Sequence, residues 1–244
     1  MLRTLLPLMA AAAAFAAPAI VERQVPSEII SLEQADSAVG RNQILAANGG
    51  NASFAFDFKN PPSGALVSSV AGNLTIANAQ TAPFLVDIDS SLAIVEVAPC
   101  GMVLPHLHPR ADEFIIVTEG EFFTQFVAET GAVLVTNTLK KWQSTLYPKG
   151  SIHVQYNPTC EPASFVAAFN SNDPGVSFVA TSFLSLEDQL VVASLGGDSV
   201  VSGADLESIR QHLPAPVAVG VKECLKQCKI QPYAKRSLKE VFGK

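Results

Sequence analysis

The chain of 244 residues is poor in histidine and in charged residues, and it has no excess of basic side chains. Its 16 lysines and arginines against 22 aspartates and glutamates leave a net charge of −6. This balance argues against nucleic acid as the main partner. After the N-terminal segment, no apolar run is long enough to cross a membrane as a helix. We therefore expect neither a nucleic-acid-binding protein nor a membrane span.

The N-terminal segment, residues 1–19, has the pattern of a secretory signal. Arg3 precedes a short apolar stretch, and small residues allow cleavage after either Ala16 or Ala19. The remaining chain is long enough for one domain, and with 48% hydrophobic residues it can form a core. We predict a secreted protein, extracellular or associated with the cell wall. Asn51 and Asn73 begin N-glycosylation sequons, and Asn73 is the favoured acceptor.

Between residues 66 and 183, short runs of valine, isoleucine, phenylalanine and threonine alternate with glycine, proline and asparagine. This pattern predicts an all-β barrel or sandwich, because strands do not alternate with helices. The predicted strands are 73–78, 92–97, 102–108, 113–118, 121–128, 133–139, 143–147, 153–157, 164–169 and 176–181.

Helices are predicted on both sides of this region. Ser31 and Gln34 fit a capping box and predict a short helix that ends near residue 39. Residues 54–58 alternate like a further strand. Helices are expected at 186–195, 205–213 and 221–229, and residues 232–244 are expected to form a loose tail.

The histidines carry the chemical signal. His106 and His108 are two residues apart, so they share one face of a strand. Glu113 begins the next predicted strand and His153 lies on a third. Such nitrogen and oxygen ligands suit Mn, Fe, Ni or Co, and the absence of a thiolate from the pattern argues against a structural zinc site. An isolated H-x-H is more often a surface or hydrogen-bonded pair. Here, however, three of four histidines join the arrangement, and only His212 stands apart.

The spacing resembles the two motifs of the type 1 cupins. The first motif matches at His106, His108, Glu113 and Gly120, and the second at Pro148, Gly150, His153 and Asn157. The chain is similar to secreted germin-like and spherulin-type cupins. This resemblance implies a single cupin jelly-roll β-barrel with flanking C-terminal helices. It also implies Mn²⁺ bound by His106, His108, Glu113 and His153, with Fe, Ni, Co or Zn as alternatives.

The resemblance further implies a homo-oligomer, a dimer or a hexamer. It implies superoxide dismutase or oxalate oxidase activity on a small anion or dioxygen species. One alternative is a non-enzymatic structural or storage protein of the spherulin type or of the cell wall, and another is a sugar- or ligand-binding cupin without turnover. The expected organisation is a signal at 1–19, an N-terminal arm at 20–60, the barrel at 61–184, a helical extension at 185–214 and a C-terminal tail at 215–244.

Three positions depart from the germin pattern. Cys100 and Trp142 stand where germins usually have glycine, and Val103 stands where plant oxalate oxidases have an asparagine that points into the pocket. Valine donates no hydrogen bond to a dicarboxylate, so superoxide dismutation is favoured over oxalate oxidation. Gln155 and Asn157 are candidates to support the ligands from behind. Candidates to line the cavity are Phe114, Phe123 and Phe165.

Four cysteines in a secreted chain predict two disulfides, with three connectivities open. Cys100 lies six residues before His106, and Cys160 lies seven after His153. If both histidines line one barrel, these cysteines flank the same end of neighbouring strands. We therefore predict Cys100–Cys160 and Cys224–Cys228. A metal or redox role for C-x-x-x-C is less favoured, because redox motifs have two intervening residues.

Overall fold

The computed structural model describes residues 26–230, so the predicted signal at 1–19 and the tail at 232–244 lie outside the described residues. Two antiparallel sheets face each other. The first has the strand order β1-β2-β3-β10-β5-β8, and the second has the order β11-β4-β9-β6-β7, with β12 paired to β4. The all-β jelly-roll barrel is confirmed. Its strands are β1 (Leu66–Ser69), β2 (Gly72–Ala77), β3 (Ser91–Val97), β4 (Gly101–Leu107), β5 (Glu113–Glu119), β6 (Glu121–Val127), β7 (Val135–Lys140), β8 (Ser144–Tyr147), β9 (Ile152–Tyr156), β10 (Ala163–Phe169), β11 (Ser177–Phe178) and β12 (Val217–Val219).

The barrel core comes from strands whose side chains alternate between interior and exterior. Every second residue of β3 and of β10 is buried, as the two-residue period of a strand requires. The two strands pair along their whole length, from Ala163 opposite Val97 to Phe169 opposite Ser91. Phe122 and Phe165 meet edge to face inside the barrel, with ring centroids 5.0 Å apart. Burial of this apolar surface is the main source of the barrel's stability.

Six helices lie outside the two sheets, within the described residues. They are α1 (Ser27–Glu33), α2 (Ala38–Gly49), α3 (Val179–Leu184), α4 (Asp188–Ser194), α5 (Gly203–Gln211) and α6 (Lys222–Gln227). Helix α5 begins with a complete capping box formed by Ser202 and Asp205. Leu184, Val191 and Leu206 join α3, α4 and α5 in one apolar cluster. The predicted helices at 186–195 and 205–213 are thus present with shifted ends.

The N-terminal arm differs from the prediction. Ser31 is not a cap, because it lies inside α1 and its hydroxyl donates to the carbonyl of Ser27. The functional cap is Ser37, whose side chain accepts from the amide of Gly40 at the start of α2. The predicted strand at 54–58 is also wrong, because a 3-10 turn at Gly50–Phe54 precedes an irregular segment. The predicted strand at 176–181 is limited to β11 and continues as α3.

The segment expected to be a C-terminal tail contributes a barrel strand. β12 pairs with β4, with Val217 opposite Val103. This pairing covers the edge of β4 that would otherwise present unpaired backbone groups. Residues 26–230 contain no helix with both the length and the apolar character needed to cross a membrane.

Candidate metal centre

Strands β4 and β9 bring two of the predicted ligands face to face. Their register places His106 directly opposite His153, after a shift between Val103 and His106. Pro105 lies within this irregular stretch and has no N–H to donate to the ladder. Such a bulge re-aims side chains. It turns both Val103 and His106 inward, although an odd spacing would place them on opposite faces of a regular strand.

The other two ligands lie at the same end of the barrel. His108 follows the last residue of β4, and Glu113 is the first residue of β5. The Nε2 atoms of His153 and His108 lie 2.7 Å and 3.3 Å from Oε2 of Glu113. Each of the four side chains is at least 90% buried, and one potential ligand atom from each lies within 4.8 Å of the others. The structure therefore brings the four predicted residues together as one buried group.

Backbone carbonyls fix the direction of the three imidazole rings. The Nδ1 atoms of His106 and His153 lie 2.7 Å and 2.9 Å from the carbonyls of Leu104 and Ser151. The Nδ1 atom of His108 contacts the carbonyl of Gly175. A carbonyl can only accept, so each Nδ1 carries a proton, and in the neutral ring Nε2 is the atom free to bind a metal ion. Metal-binding histidines are commonly oriented in this way.

Aromatic side chains hold the same rings from the side. Tyr147 stacks on His153 with a centroid distance of 4.4 Å and an interplanar angle of 7°. Phe169 packs edge to face against His108 at 4.7 Å, and Phe178 contacts His106 at 5.6 Å. Each imidazole therefore has both a hydrogen-bonded and a packed support. This pre-organisation limits the entropy lost when the group binds an ion.

The electrostatics of the group favour a bound cation. Burial, reinforced by the neighbouring His153, lowers the pKa of His106 to about 3, so this imidazole is neutral. Within residues 26–230, the basic side chains within ion-pair distance of the Glu113 carboxylate are the imidazoles of His108 and His153, and no lysine or arginine lies that close. The Glu113 Oε2 and His153 Nε2 atoms have no aligned hydrogen-bond partner, and an unpartnered buried charge is costly.

A cavity of about 330 Å³ opens beside the four residues, between the two sheets. His106, His108 and Glu113 form one part of its wall. Most of the remaining wall is apolar and includes Val103 and Phe165. The sequence prediction that Phe165 lines the cavity is confirmed. Phe114 is half exposed on the outer face of the sheet, and neither Phe114 nor Phe123 lines the cavity.

The two residues expected to support the ligands have different surroundings. Gln155 is fully buried and lines the cavity near His106. The amide of Asn157 instead donates to the carbonyls of Val97, Ala98 and Glu161, and its oxygen accepts from Thr159. Its partners are turns at the opposite end of the barrel, because β9 runs away from the ligands after His153. The expectation that Asn157 supports the ligands is therefore not matched by its contacts.

Sequence reasoning missed the aromatic supports of the imidazoles. Tyr147, Phe169 and Phe178 come from β8, β10 and β11, and no local motif connects them to the histidines. The alternation of inward and outward residues within β8 and β10 was the sequence signal that could have indicated Tyr147 and Phe169. Tyr147 and Phe169 occupy inward positions in register with Glu113. Choosing the correct face, however, required the pairing of three strands that are distant in sequence.

All four cysteines are paired, but the predicted connectivity is wrong. The disulfides are Cys100–Cys224 and Cys160–Cys228. The turns that carry Cys100 and Cys160 do lie together, since the amide of Cys100 donates to the carbonyl of Thr159. Helix α6 lies across both turns, with Cys224 inside the helix and Cys228 at its C-cap four residues later. Each turn is consequently bonded to α6 rather than to the other turn.

The sequons differ in accessibility. Asn51 is exposed in the 3-10 turn Gly50–Phe54. Asn73 lies in β2, where its amide donates to Glu96 and its oxygen accepts from the Ser68 hydroxyl. In the folded protein Asn51 is the more accessible of the two. Glycosylation at either position stays a prediction.

Known proteins share this sequence pattern and fold. A germin-like protein (subfamily 2 member 3) of Arabidopsis thaliana is 34% identical over 60% of this chain and 67% of its own length. Spherulin-1A of Physarum polycephalum is 36% identical over 83% of this chain and 79% of its own length. A solved oxalate oxidase superposes with a TM-score of 0.59 over 68% of this chain and 83% of its own, at 23% identity. The family model described as Cupin matches residues 56–199. The chain belongs to the cupin family and to its germin-like and spherulin branch.

Proposed function

We propose that this protein binds one divalent metal ion through His106, His108, Glu113 and His153, and that the ion serves redox chemistry on a small oxygen species. The observation that carries the proposal is the convergence of three Nε2 lone pairs on a buried carboxylate. Such a group is unfavourable without a cation at its centre. The chain offers no neighbouring lysine or arginine, among residues 26–230, as an ion-pair partner of Glu113.

Manganese is the proposed ion. Three imidazoles and one carboxylate without thiolates suit Mn and Fe better than a structural zinc site. Four protein ligands leave open positions in an octahedral arrangement. When bound, the ion supplies a redox-active centre and a Lewis acid. Fe, Ni, Co and Zn remain alternatives, because affinity alone does not select among these ions.

The residues around the ligands favour superoxide dismutation over oxalate oxidation. His106, His108 and Glu113 face the cavity, so a small oxygen species can approach them. Val103 closes the adjacent wall and is almost fully buried. It offers no hydrogen bond that would orient a dicarboxylate, whereas dismutation needs little beyond access to the ion.

A structural or storage role is the second candidate. Glu113 belongs to one sheet, while His106 and His153 belong to the other. An ion bound by these residues would link the two sheets and stabilise the folded state by mass action. The similarity to Spherulin-1A over most of both chains supports this candidate. The two candidates share the metal site and differ in turnover.

Export and assembly are part of the proposal. Two disulfides in one domain are typical of proteins that mature in an oxidising compartment. They support the secretory signal predicted at 1–19 and a location outside the cell or in its wall. The resemblance to germins supports a homo-oligomer, either a dimer or a hexamer.

The first test is the metal content of the secreted protein, purified without chelators or nickel resin and measured by plasma mass spectrometry. We expect about one manganese per chain, as four ligands around a single centre imply. Superoxide and oxalate turnover are then assayed on the same sample. Full manganese with dismutation supports the enzyme, and full manganese without turnover supports the structural candidate. A folded protein without metal would contradict both.

A further inference from the structure

The side chains that line the cavity beside the four metal-ligand residues determine which kind of molecule it can bind. Towards the barrel interior it is formed mainly by aliphatic and phenyl side chains, among them Leu74, Ile76, Val95, Val103, Phe165 and Phe169. Among the described lining residues there is no lysine or arginine. The acidic Asp173 at the rim already pairs with Arg110 at 2.8 Å. A second negative charge on a ligand would therefore meet no cation inside the cavity.

The net charge of the proposed metal group determines how many anionic groups a ligand in the cavity can have. A divalent ion with one carboxylate and three neutral imidazoles has a net charge of +1. One anionic oxygen on a ligand neutralises this charge, and a second anionic group would be buried without a partner. The neutral polar side chains of the wall are the carboxamides of Gln155, Asn78 and Gln80. The cavity thus offers a place for one anionic oxygen and a large apolar surface for the rest of the ligand.

We propose that the cavity binds an organic molecule with a single anionic oxygen donor on an apolar body, an aromatic monocarboxylate being the simplest form. A cavity of about 150 Å³ holds benzene, so about 330 Å³ accommodates a body larger than one ring. The inference rests on the proposed metal site and adds the class of ligand. It predicts that a dicarboxylate such as oxalate is the poorer ligand.

The test is calorimetric titration of manganese-loaded protein with benzoate, acetate and oxalate, with metal content measured before and after each titration. Benzoate should bind at least about tenfold more tightly than acetate, because the phenyl ring buries apolar surface. Oxalate should bind more weakly than benzoate. Tighter binding of oxalate, or equal binding of benzoate and acetate, by fully loaded protein would overturn the ligand class and leave the metal site intact. Protein that holds no manganese would instead overturn the proposed function.

Three variants distinguish the effect of polarity from the effects of side-chain size and of a disturbed core. Val103→Asn places an amide in the wall and should weaken benzoate binding about tenfold, whereas Val103→Ala should keep the preference for benzoate. Val176 lies at the rim and is 54% exposed, so Val176→Arg leaves the core unchanged. This variant should strengthen oxalate binding, because it supplies the missing cation. Unchanged oxalate binding by Val176→Arg, with full manganese, would contradict the charge argument.

Discussion

The two ends of strands β4 and β9 are stabilised in different ways. At one end, His106 and His153 face each other and are supported by single hydrogen bonds and ring contacts. At the other end, the turn at Cys100 and the turn at Cys160 are each bonded covalently to α6. The covalent links are thus separated from the ligands by the length of the barrel. The disulfides therefore restrain the end of the barrel that is remote from the four candidate ligands.

The disulfide end also contains two non-glycine residues with left-handed backbone conformations. Cys100 and Trp142, which replace glycines of the germin pattern, have φ angles of 59° and 68°. Residues with a Cβ adopt this left-handed region at a cost of about 1–2 kcal/mol. Both positions lie at the disulfide end. Glycine would adopt the same φ angles without this cost.

The largest expected effect concerns the ligand end. His106→Ala combined with His108→Ala should reduce bound metal from about one ion per chain to less than about a tenth, because two of four ligands are lost. The disulfide end should keep the variant folded. Plasma mass spectrometry and circular dichroism measure the two effects. His212→Ala is the control, since His212 is exposed and bonds within its own helix region. A double variant with a full metal complement would refute the site.

The next effect concerns the disulfide end. Replacing Cys100 and Cys224 together by serine removes a link across 124 residues and should lower the free energy of unfolding by about 4–5 kcal/mol. The paired Cys160 and Cys228 variant should lose slightly less, because its link spans 68 residues. Urea denaturation measures both. Metal bound per folded chain should not change, and its loss would show that the two ends are coupled.

A smaller loss of unfolding free energy is expected when an asparagine at either end is replaced by alanine. Asn157→Ala removes five hydrogen-bond contacts that join the turns at the disulfide end. Its cost should be about 2–4 kcal/mol, because buried carbonyls lose their donor. Asn170→Ala is the matched change near the ligands, where an exposed asparagine bonds Asp112, and it should cost less than about 1 kcal/mol. Equal costs in urea denaturation would contradict this contrast.

The smallest effect tests the left-handed positions. Trp142→Gly should stabilise the protein by about 0.5–1 kcal/mol, because glycine adopts φ of 68° without steric cost. Trp142→Ala should bring no such gain, since alanine keeps the Cβ. Cys100→Gly should destabilise the protein instead, because it also breaks a disulfide. Thermal unfolding distinguishes these outcomes, and a gain with alanine equal to that with glycine would exclude backbone strain as the cause.

The sequence predicted local features of the barrel well. The two-residue period identified most strands to within one or two residues, and the spacing of His106, His108, Glu113 and His153 predicted a group that the structure assembles. It failed at the N-terminal arm, where the predicted cap Ser31 lies inside α1 and Ser37 caps α2. It also failed to find β12, because a strand of three residues has too little pattern to separate it from a loop.

Sequence alone determined the ligand types, the strand periodicity, the acidic charge balance and the presence of four cysteines for two disulfides. The tertiary structure decided which side chains meet. The bulge between Val103 and His106 placed both side chains on the cavity side, and the position of α6 paired Cys100 with Cys224 and Cys160 with Cys228. Periodicity describes neighbours along one strand, whereas register and the packing of distant segments depend on contacts between parts of the chain that no local pattern encodes.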